Sequence, residues 1–290
     1  MSIFFWGLAA LLLALFIYGF WIEPAMRLRV VRRDVRIETW GDRAPLTILL
    51  VADLHAGAPH VSLGRVRRIV EEANALGADL TVLLGDYAAA HRFVFRLPAA
   101  DEIIALLKDL RAPLGVWAVQ GNHDWWDDPE AVETGRPTKT AQALTRHGLP
   151  ELDNEAVRIG EGQNGFWLMG IADQRAFAVD PREDGLDDLD AAMEDVSDDA
   201  PAILIAHEPD IFPDVPEQVA LTVSGHTHGG QVRIFGRAPV IDYVWCEDYT
   251  YGHYVHGDQH LIISAGIGCS KLPVRFGSPP ELTLITVRGT

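Results

Sequence analysis

The sequence predicts an α/β domain carried behind an N-terminal apolar helix, and three observations say so. The first 22 residues hold no charged side chain. From residue 45 onward, short apolar runs of strand type alternate with loops and helical spacings. Five of those runs end in Asp, Asn or His. The 290 residues suffice for one large domain or two modest ones, and 48% hydrophobic with 22% charged residues is the balance of a folded chain. A net charge of −17 argues against general nucleic-acid binding. An acidic protein that grips an anion needs positive charge in its site, which bound metal supplies. With two cysteines, Cys246 and Cys269, there is neither a disulfide framework nor a thiolate zinc cluster, and both read as ordinary buried thiols.

Met1–Ile22, as a helix rising about 1.5 Å per residue, is long enough to cross a hydrocarbon core of about 30 Å. Trp6, Tyr18 and Trp21 lie toward its ends, where amphipathic rings favour the headgroup zone. The rival reading is a cleaved signal peptide. Against it, no basic residue precedes the run and no small-x-small cleavage site stands right behind it. A retained transmembrane anchor over residues 1–22 is therefore expected, followed over residues 23–44 by a basic juxtamembrane segment and a first strand. Arg27, Arg29, Arg32, Arg33 and Arg36 lie there. Positive flanks stay cytoplasmic, so the domain over residues 45–290 is expected to face the cytoplasm. The arginines also suit a solvated strand, and even so each is worth about 1 kcal/mol near anionic lipid. Residues 1–36 carry +3 and the remainder −20, so the chain is electrically polarised.

Beyond residue 44, Leu46–Ala52 reads as a buried strand, followed by the loop DLHAGAPH and a helix with Val66, Ile69, Val70, Ala73 and Leu76 on one face, ended by Gly77. A second unit runs from Leu80–Leu84 through Gly85 and Asp86 to the helical spacing of DEIIALLKDL. A third strand, Val116–Gln120, leads into GNHD. Ala202–Ala206 ends in HEPD, Val219–Ser224 ends in GHTH, and LIISAG and ELTLITV are terminal strands. Between Asp180 and Asp199 lie ten acids and one arginine, with Leu186, Leu189 and Met193 at helical spacing. That stretch reads as a surface helix with an acidic outer face, or alternatively as a metal store.

The strand ends carry Asp53 and His55, then Asp86, then Asn122, His123 and Asp124, then His207, and finally His226 with His228. In extended chain alternate residues point the same way, so Asp53 with His55, and His226 with His228, can turn toward one cavity. Carboxyl ends of strands are also where α/β sheets build their crevices. Carboxylate, imidazole and amide donors without thiolate suit a pair of borderline divalent ions, manganese, iron or zinc, better than a structural zinc.

The ordered set DLH, GDY, GNHD, HEPD and GHTHGGQ resembles the calcineurin-like metallophosphoesterases over about residues 45–290. The tail AGIGCSKLPVRFGSPPELTLI is similar to a bacterial, membrane-associated or exported branch, some of whose wider relatives cleave the pyrophosphate of UDP-2,3-diacylglucosamine. The resemblance implies a four-layer α/β/β/α sandwich. It also implies one metal held by Asp53, His55, Asp86 and His228, and a second by Asp86, Asn122, His207 and His226, with Asp86 bridging. Manganese is the first choice, with iron, zinc or magnesium as alternatives. His123 would stay off the metals and face the phosphate, as an electrostatic stabiliser or a general acid for the leaving oxygen, oriented by Asp124. A hydroxide shared by the two cations would attack phosphorus.

Arg92 and Arg275 are candidates for phosphate contact, and Trp125 and Trp126 for an apolar wall beside the metals, with surface and core roles as the alternatives. The expected protein is a phosphoesterase of the bacterial inner membrane acting on a lipid-linked phosphodiester or pyrophosphate, with no nucleic-acid partner. Soluble nucleotides, envelope phosphoesters outside the membrane, and a non-catalytic scaffold are the alternatives.

Overall fold

The computed structural model describes residues 2–89, 91, 93–177, 185–239 and 249–290. Its N-terminal apolar stretch is one near-continuous helix made of α1 (Ser2–Ile17), a π-helical turn (Tyr18–Ile22) and α2 (Glu23–Met26). The span Ile3–Met26 has 24 residues and is long and apolar enough to cross a membrane. The π turn has a cause in Pro24, which lacks an N–H and cannot bond back into the helix. Glu23 N–H reaches Tyr18 O instead of the next carbonyl. The carbonyls of Gly19 and Phe20 are thereby left for partners outside the helix.

Two sheets follow. The first has the order β1 (Arg29–Arg36), β11 (Glu281–Arg288), β2 (Leu46–Val51), β3 (Leu80–Leu84), β4 (Val116–Val119). Only the β11–β2 pairing in it is antiparallel. The second runs β5 (Glu155–Ile159), β6 (Phe166–Gly170), β7 (Ala202–Ile205), β8 (Val219–Ser224), β10 (Gln259–Ile263), β9 (Gly252–His256), with antiparallel edges. Alternation along β2 shows how the layers form: Ile48 and Leu50 face the second sheet, while Leu49 and Val51 face helices. The inter-sheet core joins them to Leu168, Ile203, Ile205, Leu221, Val223 and Ile262.

On the outer face of the first sheet lie α3 (Leu63–Ala75), α4 (Ala100–Leu107) and α7 (Lys139–His147). α3 is capped by Ser62, which accepts from Arg65 N at 3.4 Å, and it ends before Gly77, whose φ of +62° suits glycine. On the outer face of the second sheet lies α8 (Leu189–Glu194), seated by Leu189, Ala192 and Met193. Short helices α5 (Asn122–Trp126) and α6 (Pro129–Thr134) follow β4. The result is the expected α/β/β/α order of layers. The acidic stretch yields a six-residue helix, and residues 178–184 lie outside the description.

The C-terminal strand β11 fills the place between β1 and β2, so the strand following the apolar helix pairs with the end of the chain. Arg29 ties them through Glu281, at 2.7 Å.

Candidate metal centre

The turns that follow β2, β3, β4, β7 and β8 carry the ligand candidates. Asp53, His55, Asp86 and His228 are buried, and one donor atom from each lies within 4.8 Å of the others. His55 Nε2 is 3.2 Å from His228 Nε2 and 3.2 Å from Asp86 Oδ2. A second group forms on the far side of Asp86, whose Oδ2 stands 3.4 Å from His207 Nε2. His226 Nδ1 is 3.3 Å from His207 Nε2 and 3.0 Å from Asn122 Oδ1. All seven expected ligand positions are thus brought together around one carboxylate.

The route to that convergence differs from strand alternation. Asp53, His55, Asp86, His226 and His228 have φ of 48°, 39°, 55°, 66° and 52°, so the ligands hang from left-handed turns just past the strands. Glycine lets the turns close together: a Cβ on Gly121 would stand 2.5 Å from Asp86 Oδ1 and 2.6 Å from the His207 ring. Backbone carbonyls fix the rings. His55 Nδ1 lies 3.2 Å from Ala88 O, and His207 Nδ1 lies 2.5 Å from Leu84 O, which turns each Nε2 inward.

Charge in the cluster favours cations. Burial pushes Asp53 up to about 6. Burial also opposes charge on Asp86, but His207 and His123 outweigh it and hold that carboxyl well below its usual range. Burial and neighbouring cationic groups keep His226 and His228 well below the ordinary imidazole range, hence neutral and able to ligate. Glu208 completes a group with His207 and His226, at 3.8 Å from His226 Nδ1, and its Oε1 has no hydrogen-bond partner. Converging buried carboxylates and imidazoles are the donor set that divalent cations require.

The other candidates sort differently. His123 is beside the cluster: its backbone N–H donates to Asp86 Oδ1 at 2.9 Å and its ring is 5.3 Å from that of His55. Asp124 does not orient it. Its carboxylate accepts from Asp86 N (2.8 Å), Gly121 N (3.0 Å), Tyr87 N (3.3 Å) and Thr140 Oγ1 (3.0 Å), clamping two ligand turns together. The carboxylate nearest His123 Nδ1 is that of Asp127, 3.7 Å away.

Arg275 cannot contact a phosphate, because it is fully buried and donates to Gly268 O, Ala265 O and Ser278 O, with Nη2 3.2 Å from His228 Nδ1. Trp125 packs into a small core with Ala131 and Ala176, whereas Trp126 stands edge-on to His123. Arg92 and Cys246 lie outside the described residues, and Cys269 is a buried free thiol, as expected.

Sequence reasoning missed two residues. Glu208 follows His207 directly in HEPD. Arg175 sits in the turn after β6, with Nη1 3.1 Å from His226 Nε2, its guanidinium 5.3 Å over Trp126, and its Nε buried without a partner. Glu208 stands in a motif already singled out and could have been found by reading all of HEPD, whereas Arg175 follows β6, a strand with no counterpart in the sequence reading.

A family model described as calcineurin-like phosphoesterase matches residues 46–261. The chain belongs to that family. As a calcineurin-like phosphoesterase it is a metal-dependent hydrolase of phosphoric esters, with a buried Asp/His cluster able to bind metal ions. It is 29% identical over 249 residues to the uncharacterized metallophosphoesterase YkuE of Bacillus subtilis, covering 84% of this chain and 79% of that one. It is 29% identical over 256 residues to a bovine transmembrane protein with metallophosphoesterase domain, covering 84% of this chain but 53% of the bovine protein. An uncharacterized metallophosphoesterase of Aquifex aeolicus is 26% identical, over 90% of this chain and 92% of its own. The solved Pseudomonas putida nuclease MPE aligns over 81% of this chain and 78% of its own at 17% identity and a TM-score of 0.34, a likeness too loose to carry argument.

Proposed function

We propose that this phosphoesterase is a membrane-anchored, dinuclear enzyme that cleaves a phosphodiester or pyrophosphate bond of a lipid-linked substrate. The observation that carries the reading is the position of Asp86 between two ligand groups, with Oδ2 3.2 Å from His55 Nε2 and 3.4 Å from His207 Nε2. Asp53, His55, Asp86 and His228 would hold one ion, and Asp86, Asn122, His207 and His226 the other. Manganese is the first choice. When bound, the two cations supply charge that polarises the phosphoryl group and activates water.

The chain's own groups do the rest. His123, held next to the bridging carboxylate, is placed to deliver a proton to the leaving oxygen. Burial opposes its charge, but Asp86 and Asp127 outweigh burial and keep its imidazole above the ordinary range, which suits an acid. Arg175, with its Nε unpaired, would take an oxygen of the substrate, and Trp126 would wall the site on that side.

Anchoring is supported by the 24-residue apolar span and by the bovine relative named as a transmembrane protein. The arginines behind the span favour a cytoplasmic domain on a bacterial inner membrane. UDP-2,3-diacylglucosamine, an intermediate of lipid A synthesis, is the first substrate to try.

The test uses the full chain in detergent beside Asp86→Ala. Two divalent ions per chain and hydrolysis of a generic phosphodiester are expected, with activity down roughly a thousandfold in the variant, equivalent to about 4 kcal/mol of transition-state stabilisation. Wild-type activity in Asp86→Ala would overturn the dinuclear reading. Faster turnover of soluble nucleotides than of UDP-2,3-diacylglucosamine would overturn the lipid-linked one.

A further inference from the structure

The turns that bear the metal ligands run on into loops that grip the inner end of the apolar helix. The His55 turn continues to His60, whose Nε2 lies 2.8 Å from Phe20 O, one of the two carbonyls left by Pro24 and the π turn. The other, Gly19 O, accepts from Arg275 N at 2.9 Å, and the guanidinium of that same Arg275 backs His228. Glu23 accepts from Ser278 N at 2.8 Å, and Arg65 Nη2 donates to Arg27 O at 2.8 Å. A single residue, Arg275, therefore separates the helix backbone from a metal-ligand imidazole.

The same loops expose apolar side chains at this end. The segment after Asp86 folds back on the His55 loop, with Ala58 N donating to Arg96 O at 3.0 Å, and presents Phe93, Phe95 and Leu97. The segment after His228 pairs Val232 with Phe276, whose ring is 5.8 Å from Tyr18 of the helix, and presents Ile234 and Phe235. Leu272 is exposed on the third loop. Among the described residues beyond Met26, only Val255 on β9 is a further exposed large apolar side chain, so the apolar surface of the domain is concentrated where the helix docks. Phe235, at 102% exposure, packs against nothing among the described residues.

Charge follows the same boundary. The chain has 41 Asp and Glu, yet residues 54–70, 87–100, 225–241 and 266–280 contain none, while Arg96, Arg233, Arg237 and Lys271 are among them. Aromatic tips with a basic surround are what an anionic bilayer interface receives.

We propose that Phe93, Phe95, Leu97, Ile234, Phe235 and Leu272 sit in the headgroup layer of the bilayer that the helix crosses. The rim of the metal centre is thereby held against the lipid surface. The occupant of this face is the membrane itself, because the docked helix leaves the domain from the middle of it. The inference rests on the reading that the helix spans a bilayer, and it adds that the domain lies on the surface at a fixed orientation instead of swinging on a tether. A substrate whose phosphate lies in the headgroup layer then reaches the metals without leaving the membrane.

The test places an environment-sensitive fluorophore on one introduced cysteine at a time in the full chain, with Cys246→Ser as background and the buried Cys269 retained, reconstituted in phosphatidylglycerol-containing vesicles with or without brominated acyl chains. The sites are Leu12→Cys in the helix, Phe95→Cys and Phe235→Cys on the loops, and Glu161→Cys at the opposite end of the sheets. Bound metal serves as the check that each form is folded. Bromolipid quenching at 12, 95 and 235 with none at 161 is the expected result. Quenching at 12 while 95 and 235 behave like 161 would overturn this inference and leave the span intact. No quenching at 12 would overturn the span, and the inference with it.

Discussion

Asp53, His55, Asp86, His226 and His228 all hold a left-handed backbone, a conformation that Asp and His tolerate better than branched residues do but that still costs on the order of 1–3 kcal/mol each. The clamps around them offset that cost. Asp124 binds the Asp86 and Gly121 turns, and Asp53 accepts from His226 N at 2.9 Å, tying the two ends of the ligand set together. His123 stands apart because its ring is free of such clamps and Nδ1 has no hydrogen-bond partner. Replacing it by His123→Gln should leave bound metal unchanged and lower kcat roughly a hundredfold or more, the size of a lost proton donor. Metal analysis beside steady-state kinetics checks this. A loss of metal would make His123 a ligand, and an unchanged kcat would remove it from the chemistry.

At the level of elements, two devices hold the site in place. Arg275 joins the tail loop to the helix and to His228, with three carbonyls accepting from its fork. Arg275→Ala leaves those carbonyls buried and unpaired, and should cost roughly 3 kcal/mol of stability. Arg275→Lys should recover little, since one ammonium cannot span a planar fork. Thermal unfolding of both variants, followed by metal titration, separates the loss of stability from the loss of support to His228. The second device is the junction of β4 with the segment before β5, where Gln120 Nε2 donates to Glu151 Oε1 at 2.6 Å. Burial pushes Glu151 from 4.5 up to about 7, so the folded chain holds its proton more tightly than the unfolded chain does. Stability is accordingly lost as pH rises from about 4.5 to about 7. Glu151→Gln keeps the acceptor and should raise Tm at pH 8 while flattening that slope. An unaltered slope would assign the pH dependence to other carboxylates.

Across the whole molecule, the two chain ends meet in one sheet, so the helix is continuous through β1 with the strand that completes the tail. The docking bonds at Gly19, Phe20 and Glu23 add to this, and together they make the helix part of the folded body. A 24-residue helix is about 36 Å long, about one turn more than a hydrocarbon core of about 30 Å. Charge is polarised along the same axis, with arginines behind the span and acids beyond. The protein should therefore resist alkaline extraction from membranes, and added protease should cut the domain in inverted vesicles but not in right-side-out ones. The opposite protease pattern would place the domain outside the cytoplasm.

Strand and helix periodicities, the uncharged run at the N-terminus and the Asp, Asn and His at strand ends are local properties. They are enough to read the α/β class, the apolar helix and the seven ligand candidates from the residues alone. What side chains do on arrival depends on partners far along the chain, which become visible when the chain is folded. Arg275 read as a phosphate contact because arginine often is one, yet the loops of residues 265–278 bury it behind His228. Asp124 follows His123 in sequence but faces Gly121 and Asp86 in space, because α5 turns successive side chains in different directions. Trp125 and Trp126 divide between core and site for the same reason. Glu208 and Arg175 enter the site through β6, β7 and β8, whose alignment is set by packing between the two sheets and is written in no single segment.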